Sequence, residues 1–106
     1  MHKIGIIHRD IKPQNIFVTD DDVCKIGDYG VAVKLENPDD DKLGSTEGTY
    51  HFMSPESWNH NTREFHGRKH DLWALGVTLF AMTFNCMVFW SENELELSKL
   101  LSLIHI

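Results

Sequence analysis

Three short motifs in the first 56 residues contain the side chains whose types and spacing could support chemistry. Residues 8–15 include a carboxylate, Asp10, then Lys12 two positions later and an amide, Asn15. The second motif, residues 28–30, contains Asp28, which lies between Gly27 and Gly30. The third motif, residues 48–56, follows a polar stretch. Carboxylate and amide oxygens bind hard cations, and an ammonium group neutralises anions. A single carboxylate–lysine pair in a loop is usually a surface ion pair, so the prediction depends on the order and spacing of all three motifs.

Taken in order, these motifs resemble the signature set of the eukaryotic protein kinase family. The matching stretches are His8-Arg9-Asp10 with Lys12 and Asn15, then Asp28-Tyr29-Gly30, then Gly48-Thr49-Tyr50 running to Ser54-Pro55-Glu56. The resemblance covers residues 4 to about 90 and implies an α+β, protein-kinase-like fold, present as a partial, mainly helical C-terminal lobe. A short hairpin beside the catalytic loop (residues 8–15) is also expected, because β-prone runs at 16–18 and 23–26 flank an acidic turn.

The resemblance implies roles in phosphoryl transfer, which requires a positioned hydroxyl and neutralised phosphate oxygens. Asp10 is expected to accept the proton of the attacking hydroxyl, and Lys12 to steady the transferred phosphate. Asn15 and Asp28 are expected to hold Mg²⁺ and, together with Lys12, to bind ATP. The implied catalytic residues are thus Asp10, Lys12 and Asn15, and the implied metal ligands are Asn15 and Asp28.

Four further residues have structural roles by the same resemblance. His8 is expected to hold the catalytic loop, and Arg9 to bind the activation segment when that segment is phosphorylated. Asp71 is expected to accept hydrogen bonds from the catalytic-loop backbone. Glu56 is expected to pair with an arginine that would lie beyond residue 106.

Residues 28–56 resemble an activation segment. Ser45 and Thr46 lie where phosphorylation is frequent in the family, and a phosphate there could pair with Arg9 and order the segment. The alternative is that both are solvated loop hydroxyls. Thr49 matches the threonine that serine/threonine kinases use to support the residues equivalent here to Asp10 and Lys12.

Lys12 and Thr49 also indicate the substrate class, since both are similar to the pattern of serine/threonine kinases. The implied reaction transfers the γ-phosphate of ATP to Ser or Thr of a protein substrate. Residues 48–56 and 67–73 resemble the calcium/calmodulin-dependent protein kinase kinase branch, which implies an upstream kinase or a calmodulin-type regulator as partner. The alternative is a pseudokinase-like, non-catalytic interaction module.

Composition narrows the class of protein. Sixteen acidic against ten basic residues give a net charge of −6, which argues against a nucleic-acid partner. Two cysteines and no secretory leader predict a soluble protein of the cytoplasm. Residues 72–90 carry no charge, so they could form a membrane span or a buried core helix. The kinase resemblance, with Asp71 at the start of the run, favours the core helix.

The extent of the chain is also informative. With 106 residues, it contains no glycine-rich loop and no lysine of the kind that grips nucleotide phosphates ahead of the catalytic loop. We therefore expect residues 1–100 to be part of a kinase domain that is inactive alone. Residues 101–106 resemble a translated transposon end from sequencing-library preparation, and we expect them to be a non-native tail.

Some residues depart from the family pattern or imitate it. Tyr29 stands where phenylalanine is usual, and Ser54 where alanine is usual; we expect both to be tolerated. Lys34 ends a Val-Ala-Val-Lys stretch that imitates the nucleotide-gripping strand, but it follows Asp28 in the chain and receives no role. His60, His66 and His70 suggest a metal site, although a surface or packing role is favoured.

Overall fold

The computed structural model describes residues 1–58 and 64–102 as a small mixed structure of short strands, 3₁₀ turns and two α-helices. The strands are β1 Ile6–Ile7, β2 Ile16–Val18, β3 Cys24–Ile26, β4 Val33–Lys34, β5 Lys42–Leu43 and β6 Phe65–His66. The helices are α1 Gly67–Phe84 and α2 Glu94–Ser102, and the 3₁₀ turns are His2–Ile4, Pro13–Asn15, Tyr50–Phe52 and Pro55–Trp58. His60, part of the metal alternative, lies outside the described residues, as does most of the predicted tail at 101–106.

The predicted hairpin is confirmed. β2 and β3 pair antiparallel, with Ile16 opposite Ile26 and Val18 opposite Cys24. Branched and aromatic side chains favour this extended backbone, and the turn between the strands is closed by the amide of Thr19 donating to the Val23 carbonyl at 2.9 Å. The hairpin directly follows the catalytic loop and brings the chain back toward it.

A second strand pair joins the segments that flank the catalytic loop and this hairpin in the sequence. β1 lies antiparallel to β4, with Ile7 opposite Val33, so the segments before the catalytic loop and after residues 28–30 are joined. The Gly27 amide donates to the Asn15 carbonyl at 2.8 Å. Asp28 therefore lies next to the end of the catalytic loop, although it comes 13 positions after Asn15 in the sequence.

Helix α1 packs against the catalytic loop. Its buried positions recur at the three- and four-residue spacing of one helix face: His70, Asp71, Ala74, Val77 and Thr78. Ala74 and Val77 form a core cluster with Ile11 of the catalytic loop and Phe52 of the third 3₁₀ turn. The core thus lies between α1 and the two segments that carry the predicted site.

The expectation of a buried helix over residues 72–90 is correct for one face only. α1 ends at Phe84, where Asn85 adopts a left-handed conformation (φ 54°) and donates its amide to the Ala81 carbonyl. On the other face Leu72, Leu79 and Phe84 are each more than 60% exposed. No helix within residues 1–58 and 64–102 has the length and apolarity required to cross a bilayer.

The polar stretch from 36 to 48, which lies within the predicted activation segment, contains strand β5. It pairs antiparallel with β6, with Lys42 opposite His66 and Leu43 opposite Phe65. The Gly67 amide donates to the Asp41 carbonyl at 2.8 Å and extends this pairing to the start of α1. The middle of the activation segment is therefore attached to the helix rather than free in solvent.

Candidate active site

Asp71 fixes the catalytic loop to α1. Its carboxylate is 1% exposed and accepts hydrogen bonds from the backbone amides of His8 at 2.8 Å and Arg9 at 2.9 Å. These bonds hold Arg9 in a left-handed backbone conformation, with φ at 70°, which a non-glycine residue adopts only when its surroundings impose it. Sequence reasoning missed a third donor, His2, whose Nε2 lies 2.8 Å from Asp71 Oδ2; nothing in its local sequence distinguishes it from a surface histidine.

His8 joins the first and second motifs. The buried imidazole donates from Nε2 to the Gly27 carbonyl at 2.8 Å, and its Nδ1 accepts the amide of Asp10 at 3.1 Å. One nitrogen donating and the other accepting defines a neutral ring with its proton on Nε2. The Tyr29 ring lies edge-on to it at 5.0 Å between centroids. His8 thereby joins the backbone at Asp10 to the backbone at Gly27, the residue before Asp28.

Asp10, Lys12 and Thr49 form a compact polar cluster. The Thr49 hydroxyl donates to Asp10 Oδ1 at 2.9 Å and accepts from Lys12 Nζ at 2.8 Å. Lys12 Nζ also lies 3.7 Å from Asp10 Oδ2. Both charged side chains retain some exposure, 16% for Asp10 and 24% for Lys12, so the cluster can be reached from solvent.

Gly48 allows this approach. Its φ is 108°, and a Cβ at this position would collide with the Arg9 carbonyl and come within 3.2 Å of the Asp10 carboxylate. Only glycine occupies that space without strain. The close contact between the two backbones places Thr49 directly over Asp10.

Asn15 is held with its amide oxygen available. The side chain is buried, and Nδ2 donates to the Asp10 carbonyl at 2.8 Å and to Asp10 Oδ2 at 3.3 Å. Asp28 is exposed, has φ at 54°, and accepts the Gly30 amide at 3.2 Å. Both residues therefore present oxygen atoms on neighbouring segments of chain.

Two oxygen donors on adjacent segments suit Mg²⁺, which is usually bound by one or two protein oxygens together with phosphate and water. The donor set of Asn15 and Asp28 therefore fits the implied cation. Among the described residues, no group of three or more His, Cys, Asp or Glu side chains is arranged to hold a metal. His66 and His70 are instead hydrogen-bonded to Asp41 and Ser54, which agrees with the surface and packing roles favoured for them.

Arg9 faces the activation segment. Its Nε donates to the Val31 carbonyl at 2.6 Å, and Nη1 lies 3.4 Å from the Ser45 hydroxyl. Thr46, the next residue, is exposed. Of the two predicted phosphorylation sites, Ser45 is the one whose hydroxyl contacts the guanidinium.

Glu56 lies in the fourth 3₁₀ turn and is exposed. It makes no hydrogen bond or ion pair with other residues in the part of the chain that the structure describes. The partner expected for it beyond residue 106 is outside the chain.

Sequence reasoning also missed the anchor of the activation segment. Asp41 belongs to the acidic run at residues 39–41, yet it is only 14% exposed. It accepts from His66 Nδ1 at 2.8 Å and from the Arg68 amide at 3.0 Å. Burial acts to raise the pKa of Asp41, but the hydrogen bonds and charges of His66 and Arg68 outweigh it and lower that pKa. The Arg68 guanidinium donates in turn to the carbonyls of Pro38 and His2.

Comparison with known proteins agrees with this geometry. The family profile described as the protein kinase domain matches residues 1–105. The chain belongs to the protein kinase family. The predicted family is thereby confirmed, and the three motifs are brought together within a protein-kinase-like fold.

Relatives of this kinase chain come from several branches. It is 38% identical over 100 residues to a calcium/calmodulin-dependent protein kinase kinase of Caenorhabditis elegans, covering 93% of this chain and 18% of that protein. It is 44% identical over 97 residues to human mitogen-activated protein kinase kinase kinase 4, covering 89% of the chain and 6% of that protein. A probable serine/threonine-protein kinase of Clostridium perfringens is 38% identical over 97 residues, covering 92% of the chain and 14% of that protein. The kinase chain thus spans less than a fifth of these relatives' lengths.

Proposed function

We propose that this chain is the catalytic portion of a protein serine/threonine kinase that transfers the γ-phosphate of ATP to a Ser or Thr hydroxyl of a protein substrate. The observation that carries the proposal is the Thr49 hydroxyl bonded to both the Asp10 carboxylate and the Lys12 ammonium. This contact places a proton acceptor and a cation side by side at a solvent-accessible position, as phosphoryl transfer to a hydroxyl requires.

In this proposal Asp10 orients the substrate hydroxyl and accepts its proton. Its Oδ1 accepts from Thr49, and Oδ2, which accepts a longer bond from Asn15 and lies close to Lys12, keeps lone-pair capacity for the substrate hydroxyl. Lys12 stabilises negative charge on the transferred phosphate, and its bond to Thr49 holds the ammonium 3.7 Å from Asp10 Oδ2.

Asn15 and Asp28 would hold Mg²⁺ with ATP. The Asn15 amide nitrogen is used by Asp10, which leaves the amide oxygen for the cation, while the exposed Asp28 carboxylate is open to it. When bound, the cation neutralises phosphate oxygens. His8 keeps Asp28 in register with the catalytic loop through the Gly27 carbonyl.

We infer further that the chain is part of a larger, C-terminal kinase lobe, with residues 1–100 native. The relatives' greater lengths support a longer parent protein. So does α1, which exposes Leu72, Leu79 and Phe84, since apolar side chains at this density are usually covered in a folded domain. On its own the chain is expected to be inactive, because the described residues include neither a glycine-rich loop nor a lysine placed to bind the nucleotide phosphates.

Regulation is proposed to act through the activation segment. Phosphorylation of Ser45 by an upstream kinase would place a dianion against the Arg9 guanidinium, 3.4 Å from the present hydroxyl. The kinase is proposed to work in the cytoplasm on protein substrates. A calmodulin-type regulator is proposed because the worm relative is a calcium/calmodulin-dependent protein kinase kinase.

The test is phosphate transfer by the full-length protein that contains this chain, using γ-labelled ATP and a library of Ser-, Thr- and Tyr-containing peptides. We expect transfer to Ser and Thr peptides, reduced by about 10²-fold or more in Asp10→Asn, because a positioned proton acceptor contributes about that factor. Asp20→Asn, an exposed acid in the hairpin turn, is the matched control and should retain wild-type activity. ATP binding without transfer in the wild type would instead indicate a non-catalytic interaction module.

A further inference from the structure

We infer that Ser54 and His70 form a buried, hydrogen-bonded positioning pair that fixes residues 49–54 on α1 and so places Thr49 over the catalytic loop. Its catalytic consequence rests on the proposed kinase function, whereas the pair itself does not. The sequence alone predicts no more than a tolerated or packing role for either residue.

The pair is fully enclosed. Ser54 is 0% exposed, His70 is 2% exposed, and Ser54 Oγ lies 2.8 Å from His70 Nδ1. The His70 ring also packs against Phe65, with centroids 5.1 Å apart. A buried hydroxyl and a buried ring nitrogen are each costly without a partner, so the two groups require one another.

Ser54 is fixed on its other side by the following turn. Its carbonyl accepts both the Ser57 amide at 3.1 Å and the Ser57 hydroxyl at 2.7 Å. Upstream, the Phe52 and Met53 amides close the preceding turn on the carbonyls of Thr49 and Tyr50 at 3.1 Å each. Residues 49–53 and 54–57 thus form two consecutive hydrogen-bonded turns that meet at Ser54.

His70 is well placed to set the position of residues 49–54 relative to the catalytic loop, because it immediately precedes Asp71. One turn of α1 therefore carries both attachments: Asp71 to the backbone of the catalytic loop, and His70 to the segment that carries Thr49. The distance between Thr49 and Asp10 is set by these two neighbouring residues of one rigid helix.

The pair is suited to a neutral imidazole. Burial lowers the pKa of His70; the charges of Asp71 and Glu56 act to raise it, and that of Arg9 to lower it further. A neutral ring accepts from, or donates to, the hydroxyl without burying net charge. A segment that opens exposes His70 with its ordinary pKa of 6.5 and binds a proton more readily than the enclosed ring, so acid weakens the attachment of residues 49–54 as the pH falls from 6.5 toward the lower folded value.

A packing role and a positioning role make different predictions. If Ser54 only fills space, Ser54→Ala removes one oxygen and leaves residues 49–54 unchanged. If the pair positions them, Ser54→Ala and His70→Leu each leave a buried polar group unpaired and loosen the segment. The double variant then recovers, because removing both polar partners restores a matched interior.

The experiment is a double-mutant cycle in the full-length protein, read by amide hydrogen exchange at Phe52 and Met53. At pH 7.5 we expect Ser54→Ala and His70→Leu to lower the protection factors about tenfold, and the double variant to lie within about threefold of wild type. His70→Asn, which keeps an amide near the position of Nδ1 but does not titrate, should resemble wild type. Thr83→Ala, an exposed hydroxyl of α1 bonded within the helix, is the control.

Two further readouts separate positioning from general stability. Below pH 6.5 the wild type should lose protection at Phe52 and Met53, whereas His70→Asn should not. In the active enzyme, the single variants should lower kcat several-fold with little change in KM for ATP. Exchange in Ser54→Ala equal to that in Thr83→Ala, or additive effects in the double variant, would overturn the pair. A wild-type protein without phosphate transfer would overturn the kinase proposal alone, since the exchange cycle does not depend on activity.

Discussion

Thr49 Oγ1 lies 2.9 Å from Asp10 Oδ1, although 39 residues separate the two in the chain. The same hydroxyl oxygen accepts a hydrogen bond from Lys12 Nζ at 2.8 Å. One neutral side chain therefore bridges the carboxylate and the ammonium group of the catalytic loop. Within the loop, Asn15 also donates to Asp10, and Thr49 adds a contact from the far end of the activation segment.

Replacing Thr49 with valine keeps the shape and removes both hydrogen bonds. We expect kcat of the full-length enzyme to fall about tenfold or more, because a hydrogen bond to a charged group contributes about 1.5 kcal/mol. KM for ATP should change little. Steady-state kinetics with a Ser/Thr peptide measure both, and Thr49→Ser, which retains the hydroxyl, should keep most of the activity. Equal losses in the two variants would contradict the role of the hydroxyl.

Ser45 is expected to be the regulatory phosphorylation site. Because its hydroxyl is the one in contact with Arg9, Ser45→Ala should abolish the activity gained on phosphorylation, whereas Thr46→Ala should retain it. The ratio of activity before and after treatment with an upstream kinase is the measurement.

Arg9 provides the second half of that test. Arg9→Ala should leave Ser45 phosphorylated but bring the activity ratio close to one, because the phosphate then has no guanidinium to bind. An unchanged ratio in Arg9→Ala would rule out this pairing.

Gly48 and Gly76 offer a matched comparison. Gly48→Ala should destabilise the protein by about 1–3 kcal/mol and reduce activity, since the new methyl group meets the Arg9 carbonyl at a backbone angle unfavourable for alanine. At Gly76, within α1, a methyl group would meet no atom within 4 Å apart from its chain neighbours and the surrounding helix backbone, so Gly76→Ala should stabilise by about 0.5–1 kcal/mol. Urea unfolding of both variants gives the two free energies, and the same sign for both would contradict the structure.

Asp41 should make stability depend on acid pH. Its pKa in the folded protein is below the ordinary value of 3.8, because the hydrogen bonds and charges of His66 and Arg68 outweigh burial. The unfolded chain therefore binds this proton first, and the stabilisation present above 3.8 is lost as the pH falls through the lower folded value. Unfolding free energies of wild type and Asp41→Asn should converge toward low pH. Asp20→Asn, exposed in the hairpin turn, should follow the wild type throughout.

Local sequence predicts the local elements well. The hairpin follows from two β-prone runs around an acidic turn, and its register joins Ile16 to Ile26 as such a turn allows. The apolar run beginning at Leu72 predicts a helix, but not that it ends at Phe84, because Asn85 lies within an apolar stretch. Apolarity alone also cannot tell which helix face is covered.

Contacts between distant segments are the part that sequence does not reveal. Asp41 appears as one acid in a charged run, and its partners His66 and Arg68 come from 25 and 27 residues away. Ser54 and His70 are ordinary residues when taken separately, and their pairing depends on α1 lying beneath the 3₁₀ turns. The residues implied by family resemblance are the exception, since the family pattern already contains the fold.

The Asp71 carboxylate also imposes an order on folding during synthesis of the protein. It accepts the amides of His8 and Arg9 across 63 and 62 residues, whereas the β2–β3 hairpin closes over a short turn. A chain made from its N-terminus can therefore form the hairpin while still being translated, because short loops close at low entropic cost. The catalytic loop has no acceptor for these amides until α1 has emerged from the ribosome. The nascent chain thus acquires its catalytic geometry late, only after the activation segment has been synthesised in full.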